Sequence, residues 1–271
     1  MKVATSPSKN TDITATGLFN LPLLTTSKSR VFLTHLAISF GIFLTILGFM
    51  LISWFPGPLF HLDGGWQGLR LMAAVDIVLG PTLTLLFYKP GRRSALLDLS
   101  AIACVQVLAL GWGVWAVYHQ STAALVFSEG RFVTLSYQAH QQANDSLEAN
   151  GIETQSTCVF AESRVPHIYA RPIAAEHYGQ YLASVLNGNP EHHEHSHRYA
   201  PLAENIQAME RFQVLPEQLP PEKMAQAKLL EAYATQYHAP ENLRFYHLKT
   251  RYGNGFAVID QQKRAVIDLL H

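Results

Sequence analysis

Val31-Phe32-Leu33-Thr34-His35-Leu36-Ala37-Ile38-Ser39-Phe40-Gly41-Ile42-Phe43-Leu44-Thr45-Ile46-Leu47-Gly48-Phe49-Met50-Leu51-Ile52-Ser53-Trp54-Phe55 is a run of 25 residues without one Asp, Glu, Lys or Arg. At a helical rise of ~1.5 Å per residue it is long enough to cross a hydrocarbon core of about 30 Å. Fifteen of its residues are Leu, Ile, Val or Phe. Each contributes roughly −0.3 to −0.6 kcal/mol to insertion, so the segment favours a bilayer by several kcal/mol. Two more apolar segments follow. Leu99 to Tyr118 gives 20 uncharged residues and spans without difficulty. Leu71 to Tyr88 is closer to balance: nine strongly apolar residues contribute about −3 to −5 kcal/mol, and Asp76 near its centre costs roughly 2.5 to 3.5. This segment is expected to insert with help from its neighbours, and Gly80-Pro81 to kink it.

Composition points the same way. The chain is 48% hydrophobic and only 15% charged, against about 25% charged in soluble proteins. The deficit is local. Between Val31 and Tyr118 the acidic and basic residues are Asp63, Arg70, Asp76, Lys89, Arg92, Arg93 and Asp98. A net charge of zero gives no reason to expect nucleic acid as a partner. The two cysteines, Cys104 in an apolar span and Cys158 far beyond it, are not expected to meet.

The expected organisation has three parts. Residues 1–28, rich in Ser, Thr and Asn, read as a disordered cytoplasmic tail. They do not read as part of a signal peptide, since the apolar run starts late and no small-residue cleavage pattern follows it. Residues 29–120 form a three-helix transmembrane bundle, and residues 121–271 a small α+β domain. Lys28 and Arg30 precede the first span, and Lys89, Arg92 and Arg93 lie between the second and third. The positive-inside rule therefore puts the tail and the inner hairpin in the cytoplasm and exports the C-terminal domain. Trp54, Trp66, Trp112 and Trp115 all fall at the opposite ends of the spans, as an interfacial aromatic belt would. Ala37/Gly41 and Ala109/Gly113 are small-xxx-small pairs that allow close helix approach.

Within the exported part, Ala124–Phe127 and Phe132–Tyr137 read as a hairpin around Ser128-Glu129-Gly130. Ile173–Leu186, Leu202–Phe212 and Glu222–Tyr237 read as helices. Leu243–Thr250, Gly255–Asp260 and Arg264–Leu270 read as strands, with the first and last strands of the domain sharing a sheet.

Polar residues inside the spans are the first functional candidates: Arg70, Asp76, Thr84, Asp98 and Gln106. Asp76 is 13 residues before Lys89 and Gln106 is 13 after Arg93. Both are thus at one depth and expected to hydrogen-bond, with Thr84 and Asp98 pairing likewise. Such groups serve as helix glue, as a contact for a partner's membrane helix, or as an ion pathway. The second candidate is Glu191-His192-His193-Glu194-His195-Ser196-His197. His193, Glu194 and His197 formally match H-E-x-x-H, in which two histidines one helical turn apart hold zinc and the Glu activates water. His193, His195 and His197 are the metal-ligand candidates, and a membrane-anchored zinc peptidase or a ligand or metal sensor are the rival readings. No aliphatic side chain occurs from Asn189 to Arg198, so a solvated loop is the expected structure.

One further pattern runs through the spans and their connectors. It comprises Trp54-Phe55-Pro56-Gly57-Pro58-Leu59-Phe60, Asp63-Gly64-Gly65-Trp66-Gln67-Gly68-Leu69-Arg70, Asp76, Leu79-Gly80-Pro81-Thr82-Leu83-Thr84, Pro90-Gly91-Arg92, Asp98-Leu99-Ser100 and Gln106. As a set over roughly residues 30–135 it resembles the type IV pilin accessory proteins, the TfpX/TfpZ family. Thr122-Ala123 departs from that family's Arg-Pro before the first exported strand. The resemblance implies a multi-pass protein of the bacterial inner membrane with a periplasmic C-terminal domain. It implies a non-enzymatic accessory factor or chaperone, without a cofactor, that stabilises a cognate type IV major pilin or assists its assembly, alongside the pilus assembly machinery. A pilin waiting in the bilayer offers an apolar helix and an exported head, and two linked contacts raise each other's effective concentration.

Overall fold

The structure, a computed structural model, describes residues 28–87 and 95–271. The tail up to residue 27 and the inner connector with Lys89, Arg92 and Arg93 lie outside the described residues. Helix α1, Lys28–Phe49, continues through a π-helical turn, Met50–Trp54. A short α2, Leu59–Leu62, precedes α3, Gly65–Ala73; π-helical Ala74–Leu79 then joins α3 to α4, Gly80–Phe87. Helix α5 is Ala95–Gln120. Three helical segments, Lys28–Trp54, Gly65–Phe87 and Leu97–Gln120, are long and apolar enough to cross a membrane. Their apolar side chains stay outside: Leu97, Leu108 and Trp112 are 73%, 68% and 70% exposed. Water would penalise that surface, whereas lipid does not. Gly80-Pro81, where a kink is expected, directly follows the π-helical stretch, and the helix runs on through it. Proline has no N–H for a carbonyl one turn back, and a π turn is one way a helix absorbs that gap.

The chain divides into two compact units, one of Met1–Ile42 and Ala74–Leu110, the other of Phe43–Ala73 and Gly111–His271. The second unit carries a mixed seven-stranded sheet. Its strands are β1 (Thr122–Ser128), β2 (Arg131–Ser136), β3 (His167–Ala170), β4 (Tyr199–Pro201), β5 (Leu243–Lys249), β6 (Asn254–Asp260) and β7 (Ala265–Leu270). They lie in the order β4-β3-β1-β2-β5-β6-β7. β1 is antiparallel to β2 and parallel to β3, while β2 is parallel to β5, so the first hairpin sits mid-sheet and joins the two halves. All seven residues of β1 are buried, as expected of a strand covered on both faces. Glu129 and Gly130 both take positive φ, 51° and 84°, which is what a two-residue hairpin turn of the right-twisting type demands.

The secondary structure departs from expectation in three places. Tyr137 does not end a strand but opens helix α6, Tyr137–Ala149, because Ser136 caps it by accepting from the Ala139 N–H at 3.1 Å. The single helix expected over Leu202–Phe212 is broken into a 3-10 turn at Leu202–Glu204, a four-residue α8 (Ile206–Met209) and a second 3-10 turn at Glu210–Phe212. Asn205 causes the first break: its side-chain amide bonds the Pro201 carbonyl at 2.8 Å, a local alternative to the helical ladder. The short strands β3 and β4 were absent from the sequence reading. Helices α7 (Ala175–Leu186) and α9 (Met224–Gln236) match it closely.

The connector between the first two spans is not a free loop. Leu59 and Leu62 of α2 belong to the same buried cluster as Leu125, Phe127, Phe132, Tyr246 and Leu248 of the sheet. Burying such side chains is worth about 1.5–3 kcal/mol each.

Candidate functional site

Two polar constellations organise the molecule, one in each unit. In the first unit, His35 of α1 bridges to the other two apolar helices. Its Nδ1 is 2.6 Å from Thr84 Oγ1 on α4, and its Nε2 is 2.8 Å from Gln106 Oε1 on α5. The Gln106 amide nitrogen donates to Ser39 Oγ at 3.1 Å and to the Asp76 backbone carbonyl at 3.2 Å. That carbonyl lies in the π-helical stretch. In π register its donor would be residue 81, a proline with no N–H, and Gln106 takes the vacant place. Gly80 makes this possible, since a Cβ there would fall on the Gln106 side-chain amide.

Of the five intramembrane candidates, the structure brings Asp76, Thr84 and Gln106 into one cluster. The expected Asp76–Gln106 bond forms through the backbone, not the carboxylate. Thr84 does not pair with Asp98; it bonds His35 and the Gly80 carbonyl one turn back. Asp98 lies instead in the first turn of α5, where a negative charge complements the helix dipole. Arg70 lies over the Trp66 ring one turn earlier, 4.9 Å from its centroid, a cation–π contact. His35 and Ser39 were missed. A histidine inside a 25-residue apolar run was the available signal.

In the second unit the motif residues of the connector serve as a bolt. Asp63 is buried. Its Oδ2 accepts from Thr122 Oγ1 on β1, and its Oδ1 from Thr134 Oγ1 on β2 at 2.8 Å and from the Arg251 N–H at 3.2 Å. The Leu62 carbonyl accepts from Thr250 Oγ1 at 2.7 Å and from the Tyr252 N–H at 3.0 Å. One carboxylate therefore ties β1, β2 and the β5–β6 turn to the connector. Gly64 is required at φ 101°, and a Cβ there would lie 2.8 Å from the Tyr252 ring. Gly65 packs directly on Phe60. Pro58 stands at the N-cap of α2, Gly57 supplies a second positive φ, and Pro56-Gly57-Pro58 line a shallow cavity with Arg164 and Val266. Trp66 is 40% exposed and stands edge-on to Phe60. Pro81, like Gly80, is buried in the first unit.

The histidine run is not the solvated loop its composition suggests. It folds as two 3-10 turns, His192–Glu194 and Ser196–Arg198, closed by a reciprocal Glu191–Glu194 capping box. His192 is buried, with Nε2 donating to the Arg171 carbonyl at 2.9 Å and Nδ1 accepting from Ser128 Oγ at 2.8 Å. Ser196 is wholly buried and bonds Asn144 at 2.7 Å. Burial holds His193 and His195 at about 4 and lowers His192 and His197 as well. Hydrogen bonds to backbone and small polar side chains thus replace the missing aliphatics. There is no α-helix to set His193 and His197 one turn apart. Among the described residues no group of three or more His, Cys, Asp or Glu is placed to hold a metal ion.

Comparison with known proteins gives one consistent result. The chain is 28% identical over 95 residues to the fimbrial assembly protein, serogroup E1, of Dichelobacter nodosus, covering 34% of this chain and 37% of that protein. It is 27% identical over 104 residues to the serogroup I protein of the same organism, covering 38% and 40%. It is 26% identical over 95 residues to the serogroups C1 and C2 protein, covering 34% and 72%. The match thus spans well under half the length of the first two relatives. No family model matches the chain, and no solved structure does.

Proposed function

We propose that this chain is a non-enzymatic membrane accessory factor in fimbrial assembly, one that holds a type IV major pilin before or during its incorporation. The observation that carries this is the similarity to three fimbrial assembly proteins. Three membrane-length helices and a sheet domain supply two surfaces suited to a client with an apolar helix and a globular head. Lys28 and Arg30 at the start of α1, with Trp54, Trp112 and Trp115 at the far ends of the helices, support a cytoplasmic N-terminus and a periplasmic sheet domain in the inner membrane. The two linked contacts would act through effective concentration, with no chemical step.

The test is a deletion strain with the pilin gene intact. Surface pili should be lost while pilin transcript persists, and the full chain supplied from a plasmid should restore them. Normal piliation in the deletion strain would end the proposal. Alkaline phosphatase fused after His271 should be active; a silent fusion would overturn the orientation.

A further inference from the structure

Asp76 is the one residue of the membrane cluster whose chemistry the cluster leaves unfinished. It sits at the middle of the span Gly65–Phe87 and is only 2% exposed. Both of its carboxylate oxygens are buried without a hydrogen-bond partner among the described residues. Nearly all buried polar groups in proteins are paired, and a lone carboxylate at mid-bilayer is costly enough that it marks a contact or a pathway. Two neighbours are already committed: Gln106 to Ser39, to His35 and to the Asp76 backbone, and the Thr84 hydroxyl to His35. Neither the Gln106 amide nor the Thr84 hydroxyl has a hydrogen left for the carboxylate.

Asp76 lines the floor of a groove of about 540 Å³ between α1 and α5. Val31, His35, Ile38 and Ile42 line it from α1, and Leu99, Ala103, Val107 and Leu110 from α5. The α1 set follows i, i+4, i+7, i+11 and the α5 set i, i+4, i+8, i+11, each the spacing of one helix face, so the groove runs for about 16 Å along the helix axes. Its walls are mainly apolar, with polar side chains at Thr34, Ser39, Ser100 and Gln106, and the one charged side chain lining it is Asp76. An acyl chain would fill such a groove and leave Asp76 as it is. A helix bearing one donor would fill the groove and complete it.

We propose that the α1–α5 groove seats the apolar membrane helix of the client subunit, and that a hydrogen-bond donor at mid-depth on that helix pairs with the Asp76 carboxylate. The proposal rests on the accessory-factor reading for its client and specifies where and by what chemistry that client is held. It also gives the selectivity rule. A helix of equal hydrophobicity without the donor leaves the carboxylate unpaired, as it is without a client, and binds more weakly by the missing hydrogen bond.

The experiment is photo-crosslinking in intact cells, using the full-length chain with a photoreactive phenylalanine analogue at one position and the cognate major pilin co-expressed. Positions 38 and 107 line the groove. Positions 33 and 105 are equally exposed, at 58% and 59% for Leu33 and Val105 against 57% and 68% for Ile38 and Val107, but lie off it. Pilin adducts are expected from 38 and 107 and not from 33 or 105. Normalised to accumulated protein, Asp76→Leu should reduce the adduct roughly tenfold, the factor that about 1.4 kcal/mol of lost binding represents. Asp76→Asn, which keeps an acceptor oxygen, should retain most of it. Adducts with lipid or with a second copy of this chain, equal pilin yield from all four positions, or an undiminished adduct in Asp76→Leu each overturn the proposal. Should Asp76→Leu fail to accumulate, the contrast between groove and off-groove positions decides. Loss of pili on deletion without groove adducts defeats the groove alone; normal pili on deletion defeat the accessory-factor reading itself.

Discussion

His35 Nε2 donates to Gln106 Oε1 at 2.8 Å, joining the first and third apolar helices through side chains 71 residues apart. The proton's place follows from counting. Both donors of the Gln106 amide are directed at Ser39 and at the Asp76 carbonyl, so its oxygen must accept and the imidazole must carry hydrogen on Nε2. Nδ1 then accepts the single hydrogen of the Thr84 hydroxyl at 2.6 Å, in preference to the longer 3.2 Å approach of that hydroxyl to the Gly80 carbonyl.

Replacing His35 by Leu leaves the Gln106 oxygen and the Thr84 hydroxyl without their inter-helix partner. Hydrogen bonds between membrane helices average about 0.6 kcal/mol and reach roughly 1.7. His35→Leu should therefore destabilise the protein in micelles by about 1–2 kcal/mol, read as a lower thermal unfolding midpoint. An unchanged midpoint would mean that the bridge contributes nothing.

Gly80 and Gln106 should show up as a coupled pair. A methyl at position 80 displaces the Gln106 amide from three hydrogen bonds, so Gly80→Ala should cost about 1–3 kcal/mol. In a Gln106→Ala background the three atoms that a Cβ at position 80 would strike are gone, and the same change should cost little. The coupling energy from the four-protein cycle is the measurement; additive effects would refute the steric account.

How much of this was legible beforehand varies with the kind of force involved. The three spans were readable because insertion is a sum over local residues, and Asp76, Thr84 and Gln106 because polar groups are conspicuous against an apolar background. The helices α7 and α9 were readable from their ends, Asn187-Gly188 closing the first and Pro220-Pro221 opening the second. The role of Asp63 was not readable. Nothing in the sequence around it says that Thr122, Thr134 and Arg251 will converge on its carboxylate, because those partners are 59 or more residues away. The histidine run misled for the complementary reason: its burial comes from polar bonds to Ser128, Arg171 and Asn144, which hydrophobicity does not register.

Asp63→Ala should loosen the sheet domain from its connector. It leaves two hydroxyls and one backbone N–H without their acceptor, and each unsatisfied buried group costs about 1–3 kcal/mol. A total near 3 kcal/mol is expected, since the hydroxyls can rotate to other acceptors. Asp63→Asn keeps one acceptor oxygen and should cost about half as much. Hydrogen exchange at the Arg251 amide is the local readout, and protection equal to wild type in Asp63→Ala would sink the idea.

The last prediction concerns acid. Burial holds His167, His193 and His195 at about 4 in the folded protein, with the cations Lys249 and Arg131 adding to the effect at His193. In the unfolded chain the same groups titrate near 6.5. Between those limits the unfolded state binds more protons, so stability rises with pH there. The stabilisation is complete above about pH 6.5 and is lost as the pH falls towards 4. The side chain of His193 is 14% exposed and the other two are half-buried, so solvent screening discounts the gain to roughly 3 kcal/mol in total. Thermal unfolding of the full chain in micelles should accordingly fall between pH 7 and pH 4.5. Replacing His193 with Gln, which cannot charge, should flatten part of that slope. A slope unchanged in His193→Gln would show that the run titrates as exposed imidazoles do, and that its packing does not hold it neutral.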